Sequence, residues 1–330
     1  MSQTLTTVFR RPPSLPCFDA GTEFCPCPLA ELGHCVACSV LRGENRCDCG
    51  WGGVCIYEEF LRNGRKAVPV RREWEAQVIH REEIVPEREA SVESAFWFRV
   101  RAPEELTRWF VLPGSFAFVR IRGRPEMFNV PLSAMDREGD ILTFACEVLG
   151  PKTRDLRREI RPGTEVILKG PFWSGVQGLG AIRAHPAGKS LIVAKGIGQA
   201  PAVFLARYLK TRGGAVKALL GPGSLGAIFI EDILAGFGVS VVKMPKEPDH
   251  NLGRIVEEIT SEEYDLVVSS NARHQHKTLW RVIANLPRSP AFAWVSDVTM
   301  NCGEGLCGAC LGGRETRLCK AVFDAEEFFA

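Results

Sequence analysis

The sequence predicts an α+β protein of several domains: an antiparallel β-barrel, a parallel α/β domain after it, and a small cysteine-rich segment at each terminus. Three observations predict it. Short alternating apolar runs separated by turn residues begin near Glu73, strand-like and helix-like runs alternate after Ser190, and all but one of the 13 cysteines fall at the two ends. A chain of 330 residues, 45% of them hydrophobic, holds enough apolar material for two or three cores.

Residues 1–70 come first. They repeat Cys, Gly and Pro and show no sustained period of 3.6 or 2, so apolar burial alone is a poor basis for their fold and a metal core is a reasonable substitute. Eight cysteines lie here: Cys17, Cys25, Cys27, Cys35, Cys38, Cys47, Cys49 and Cys55. The stretch before Cys17 is broken by Arg10-Arg11-Pro12-Pro13 and has no signal-peptide core, and no segment nears the roughly 18 apolar residues of a membrane span. A cytoplasmic protein is expected, and in that compartment clustered thiols are metal ligands more often than disulfides. The net charge of +2 gives no reason to expect a nucleic-acid or membrane partner.

Residues 71–185 carry the barrel, with strands expected at Ala95–Val100, Phe116–Ile121 and Leu142–Val148 between turns such as Pro113-Gly114 and Glu138-Gly139-Asp140. Cys146 falls in such an alternating strand and reads as a core residue. Residues 186–292 form the α/β domain. Ser190–Ala194, Val216–Leu220, Val239–Val242 and Leu266–Ser269 read as strands, and Ala202–Lys210, Ile228–Leu234, Arg254–Ile259 and Lys277–Leu286 as the helices between and after them. No Ser-His-Asp arrangement or paired carboxylates with a supporting motif is present.

Residues 293–330 hold the most specific signal. Cys302, Cys307, Cys310 and Cys319 follow the spacing C-x4-C-x2-C-x8-C, interleaved with Gly303, Gly305 and Gly308. The first three match a plant-type ferredoxin loop, and glycines let a backbone wrap closely around a [2Fe–2S] cluster. A structural zinc site takes the same ligands, though C-x4-C is uncommon for it.

With these motifs in that order, the chain resembles the electron-transfer subunits of class 1B dihydroorotate dehydrogenase, in the ferredoxin–NADP reductase superfamily. The resemblance runs from about Glu73 to Ala330 and includes the ending Cys319-Lys-Ala-Val-Phe-Asp. It implies a barrel that holds FAD, an α/β domain of the nucleotide-binding type that receives NAD(H), and a [2Fe–2S] loop passing electrons to a partner flavoprotein or oxidoreductase, dihydroorotate-dehydrogenase-like or otherwise.

The family's barrel turn is matched by Pro113-Gly114-Ser115-Phe116, and its flavin motif Arg-Pro-x-Ser by Val130-Pro131-Leu132-Ser133. Pro131 and Ser133 carry over; the phosphate-binding arginine does not, and Arg122 or Arg124 is the nearby substitute. The family's Gly-x-Gly-Thr corresponds to Gly150-Pro151-Lys152-Thr153, which assigns Lys152 and Thr153 to a phosphate. Gly196-Ile197-Gly198, between a buried strand and a helix, is placed to let a phosphate approach the backbone. Nicotinamide binding stays open. The second strand ends in Leu220-Gly221-Pro222-Gly223 without a ribose-binding acid, and Ser269-Ser270-Asn271 replaces the family's Cys-Gly-Pro.

The resemblance does not extend to the N-terminal cysteines. Cys25, Cys27, Cys35, Cys38, Cys47, Cys49 and Cys55 are the candidate ligands, with Cys17 expected to be left out and Trp51 available as a shield. Beside a redox-active C-terminus, an iron–sulfur centre, [4Fe–4S] in preference to zinc, is the favoured content. The function expected is an iron–sulfur flavoprotein electron-transfer subunit. A free-standing NAD(P)H-dependent ferredoxin or sulfur-compound reductase is the first alternative, and a zinc-binding assembly subunit the second.

Overall fold

The computed structural model describes residues 16–49, 53–85, 94–246, 248–312 and 316–329; the Arg10–Pro13 stretch and Trp51 lie outside them. Two compact units divide the chain. One joins the segment up to Val70 with Cys302–Val322, and the other runs from Arg71 to Asn301 and takes back Phe323–Ala330.

The first unit has two short helices, α1 (Pro28–Glu31) and α2 (Ile56–Arg62), and otherwise turns and loops. Its buried cluster is made of Cys17, Ala20, Ala30, Cys35, Ala37, Cys38, Leu41, Ile56 and Phe60. Small residues and thiols dominate it, so little apolar area is removed from water. The two cysteine-rich ends of the chain fold together here. Phe18 N–H donates to Lys320 O at 2.9 Å, Val322 N–H donates to Pro16 O at 3.2 Å, and Cys17 forms an antiparallel bridge with Ala321.

The second unit opens with six strands: β1 (Glu73–Val85), β2 (Ala95–Arg101), β3 (Phe116–Ile121), β4 (Val130–Glu138), β5 (Ile141–Glu147) and β6 (Glu165–Phe172). They close into an antiparallel barrel in the order β1-β2-β5-β4-β3-β6. Period-two alternation decides which side chains enter. Phe96, Phe98 and Val100 of β2 stand opposite Cys146, Phe144 and Leu142 of β5, and all six are fully buried. Burial pushes the Cys146 thiol up to about 12, as for a core residue. Helices α3 (Glu104–Thr107) and α4 (Pro151–Glu159) add Leu106 and Leu156 to the same core.

The chain then runs through β7 (Val176–Gln177), α5 (Leu179–Ala184), β8 (Lys189–Lys195), α6 (Gln199–Lys210), β9 (Ala215–Gly221), α7 (Glu231–Gly236), β10 (Ser240–Lys243), α8 (Pro248–Ser261), β11 (Leu266–Ser270), α9 (Arg273–Ala284), β12 (Ala291–Val295) and α10 (Ala325–Phe329). The sheet order is β10-β9-β8-β11-β12-β7, parallel except for the edge strand β7. Helix α6 packs on β4 of the barrel, where Arg207 reaches Asp136 at 2.7 Å. The differences from expectation are local. Helix α8 begins at Pro248 rather than Arg254, α9 at Arg273 rather than Lys277, α6 and α7 are shifted by about three residues at their starts, and β12 crosses the position expected to end the α/β domain.

Candidate functional site

The C-terminal loop wraps because Gly303, Gly305 and Gly308 take φ of 68°, 76° and 74°, which a side chain would oppose. At Gly305 space is also needed, since a Cβ would stand 2.8 Å from Leu29 Cδ1 of α1. The loop thiols gather two by two. Cys302 is hydrogen-bonded to Cys307, and Cys310 Sγ lies 3.2 Å from Cys319 Sγ. Burial pushes the Cys302 thiol up, but amide N–H groups of Cys307, Glu304 and Leu306 outweigh it and hold the thiol below its ordinary value. The hydrogen bond within the second pair lowers Cys310 at the expense of Cys319, which is raised. Among the described residues, no three His, Cys, Asp or Glu side chains converge as a single bound ion requires. Two pairs of thiols suit a cluster in which each of two irons takes two cysteines.

Beneath the loop, Lys320 is buried between two carboxylates. Its Nζ lies 2.5 Å from Asp19 Oδ2 and 2.7 Å from Glu304 Oε2, and all three side chains are at most 4% exposed. The triad ties the N-terminal segment to the loop.

Four N-terminal cysteines, Cys17, Cys25, Cys27 and Cys35, line one cavity walled by Phe24, Leu29, Ala30, Val36 and Ile56. Cys38 is buried beside it, its N–H donating to Cys35 Sγ at 3.4 Å. Burial raises all four lining thiols, Cys25 to about 12. Cys47 and Cys49 pair at 3.6 Å, and Cys55 is exposed at the start of α2; none of these three lines the cavity. Cys17, expected to be left out of the ligand set, lines this cavity beside its bridge to Ala321.

On the barrel, Pro131 is exposed and Ser133 half-buried on the outer face of β4, while Val130 and Leu132 point into the core. The neighbouring turn needs Gly114, at φ 83°, because a Cβ there would fall 2.5 Å from Val176 N. Val130 stands where the resemblance calls for arginine, and the expected substitutes are engaged elsewhere. Arg124 makes a two-bond pair with Asp155 at 3.0 and 2.8 Å, and Arg122 pairs with Glu75 and Glu165. Thr153 caps α4: its hydroxyl accepts from Leu149 N and Gly150 N at 2.9 and 3.1 Å and donates to Gly150 O. Lys152, half-buried, and the first-turn N–H groups are what this helix start offers an anion. Leu149, 68% exposed, adds apolar surface at the same place. This outer face fits a flavin with a weakened phosphate grip.

Around this turn Gly198 and Gly223 pack closely on backbone, whereas a Cβ at Gly196 would meet nothing nearer than 3.8 Å. A Cβ at Gly198 would fall 2.2 Å from Ser270 O, and one at Gly223 would fall 2.6 Å from Gly196 N. Gln199, fully buried, donates to Gly221 O and Ala227 O at 3.2 and 2.9 Å and accepts from Phe229 N at 3.0 Å, drawing the loop after β9 across the strand ends. Ser269, Asn271 and His276 form a further network, with Asn271 Nδ2 on Val193 O at 3.1 Å and His276 Nδ1 on Ser269 Oγ at 2.8 Å. Burial lowers His276 to about 4, so the ring is neutral. Gln199 follows the glycine turn directly in sequence and His276 has no third ligand nearby in sequence, so neither hydrogen-bonding role was legible there.

No family model matches the chain. Curated relatives include the dihydroorotate dehydrogenase B (NAD(+)) electron transfer subunit of Bacillus caldolyticus, 30% identical over 228 residues that cover 66% of this chain and 85% of the relative. The probable counterpart from Methanopyrus kandleri is 28% identical over 254 residues, covering 74% and 90%. Among solved structures, a chain of the NADH-dependent reduced ferredoxin–NADP oxidoreductase aligns with a TM-score of 0.61 at 16% identity, covering 79% of this chain and 90% of that one. A ferredoxin reductase of carbazole 1,9a-dioxygenase aligns at 0.52 and 17%, covering 70% of each. These two likenesses are of fold. Among the described residues no helix is long and apolar enough to cross a membrane. On the sequence relatives, the chain belongs to the family of dihydroorotate dehydrogenase B electron transfer subunits.

Proposed function

We propose that this chain carries electrons between a flavin on the barrel and a [2Fe–2S] cluster on the C-terminal loop, on behalf of a partner oxidoreductase subunit. The observation that carries the reading is the gathering of four loop thiols as two pairs, Cys302 with Cys307 and Cys310 with Cys319, over amide donors. Residues 71–185 would hold FAD, with Pro131 and Ser133 against the ring system and Lys152 near the phosphates. When bound, FAD supplies conversion between two-electron and one-electron transfer, and an iron–sulfur cluster carries electrons singly. The protein's part is placement and tuning: N–H groups directed at Cys302 Sγ favour the negative charge of ligated thiolate.

Residues 186–292 act in this reading as a scaffold packed on the barrel, and Thr153 serves the fold of α4. The partner supplies the other end of the electron path, dihydroorotate-dehydrogenase-like as in the relatives' names or another flavoprotein. The N-terminal cysteines are included as a second metal centre, iron–sulfur in preference to zinc. Anaerobic purification followed by flavin, iron and zinc analysis, with EPR of the reduced protein, tests the proposal. Bound flavin and a two-iron signal support it. A colourless zinc protein would instead support an assembly role.

A further inference from the structure

We infer that Lys320 and Glu304 are positioning residues for the C-terminal loop: their buried ion pair fixes the amide donor of Glu304 on Cys302 Sγ and so sets the reduction potential of the cluster held there. This deepens the reading above and rests on its two-iron cluster, but it concerns side chains that are not ligands.

Between Cys302 and Leu306 the chain reads Gly303-Glu304-Gly305, so Glu304 carries the only side chain of that stretch. Gly303 and Gly305 take φ of 68° and 76°, and glycine on both sides leaves the backbone many other choices. Two contacts hold this turn. Gly305 lies against Leu29 of α1, where a Cβ would stand 2.8 Å from Cδ1. The Glu304 carboxylate lies 2.7 Å from Lys320 Nζ, with both side chains at most 4% exposed. The backbone N–H of the same Glu304 donates to Cys302 Sγ at 3.3 Å. One residue thus carries the donor on its backbone and the anchor on its side chain.

Lys320 is itself held along its length. It follows Cys319, whose Sγ lies 3.2 Å from Cys310 Sγ. Its C=O accepts from Phe18 N–H at 2.9 Å, and its Nζ lies 2.5 Å from Asp19 Oδ2. The Lys320–Glu304 pair therefore joins the segment of the first two thiols to the segment of the second two, and Asp19 steadies the joint from the N-terminal side.

A buried ion pair gains little stability over apolar side chains of the same volume, so a fixed geometry is the better account of this one. N–H donors aimed at a ligating sulfur favour negative charge there, and reduction adds one negative charge to a cluster. A donor kept in place raises the potential, and one that drifts lowers it.

The test is an EPR-monitored redox titration of the full-length holoprotein as wild type, Glu304→Gln and Glu304→Ala. Both substitutions delete the same charge, so its direct effect is common to the two. Glutamine keeps an oxygen for Lys320 Nζ, and alanine keeps none. The alanine variant should therefore lie below the glutamine variant by about tenfold in the reduction equilibrium, ~59 mV for a one-electron centre, the scale of one hydrogen bond to a charged group. Water entering the space left by alanine would favour the added charge and move the potential upward, so solvent entry cannot imitate this result. Asp19→Ala should lie below Asp19→Asn by less, and this second pair decides if Glu304→Ala holds no cluster. A potential of the alanine variant equal to or above that of its amide counterpart, in a protein whose wild type shows the two-iron signal, would overturn this inference alone. A wild type without that signal would overturn the reading above and this inference with it.

Discussion

Replacing Lys320 with methionine removes the ammonium that lies between Asp19 and Glu304 while keeping the side chain's length. Both carboxylates are 4% exposed and lie 2.5 and 2.7 Å from Nζ. Without it, two like charges share a site from which water is excluded. Breaking a buried ion pair by deleting one partner costs about 3–5 kcal/mol, because the remaining charge keeps its desolvation penalty. A loss within that range is expected. Urea denaturation of the holoprotein gives the size of the loss. Hydrogen exchange locates it, with protection lost in residues 16–38 and 302–322 and retained in the barrel. The triple variant Lys320→Met/Asp19→Asn/Glu304→Gln should regain most of the loss. A cost below about 1 kcal/mol for Lys320→Met, the value of an exposed pair, would refute the reasoning.

Other substitutions probe the remaining elements. Phe98→Ala, in the barrel centre against Phe144 at a centroid distance of 5.8 Å, should cost about 3–5 kcal/mol in thermal or denaturant unfolding. Thr153→Ala should cost about 1 kcal/mol through the lost α4 cap and Thr153→Ser much less, with flavin affinity little changed in both. The Glu73 carboxyl is held below its usual range by its hydrogen bonds from Arg120. Its contribution is therefore present at neutral pH and lost as pH falls through the folded value, so Glu73→Gln should flatten the acid limb of a stability–pH curve. Mixing NADH with the isolated holoprotein in a stopped-flow instrument should leave the flavin oxidised, since the end of the second strand, Leu220-Gly221-Pro222-Gly223, carries no ribose-binding acid. Rapid bleaching would refute that expectation.

The elements most legible in the sequence were those with strong local signals. Alternation in sequence marked β2, β3 and β5; burial follows it along much of β2 and β5, whereas β3 is buried at five of its six residues. The continuous apolar run marked β8, buried on both faces. Strands β1, β4 and β6 of the barrel were not singled out, and β7 and β12 went unread because Val176–Gln177 has only two residues and Ala291–Val295 follows a proline-rich turn rather than a recognised helix–strand repeat. Of the candidate site, the loop cysteines announced themselves through spacing that a wrapped backbone requires. The N-terminal set did not, since C-x-C and C-x2-C pairs say nothing about which thiols share a cavity. That depends on the pairing of Cys17 with Ala321, a contact between opposite ends of the chain that no local pattern encodes. Thr153 was assigned by motif to a phosphate, whereas its hydroxyl is committed to a helix cap. The motif and the cap use the same residue types, and only geometry separates them.

The central claim is that electrons pass between flavin and loop cluster. Photoreduction of the anaerobic holoprotein, followed by rapid-freeze EPR, tests it most directly. The account predicts that the signal of a reduced two-iron cluster grows as the flavin is reoxidised, and that the signal is missing in Cys310→Ser, where the flavin stays reduced. A chain that binds flavin and reduces it with no cluster signal, or that binds no flavin, would contradict the account.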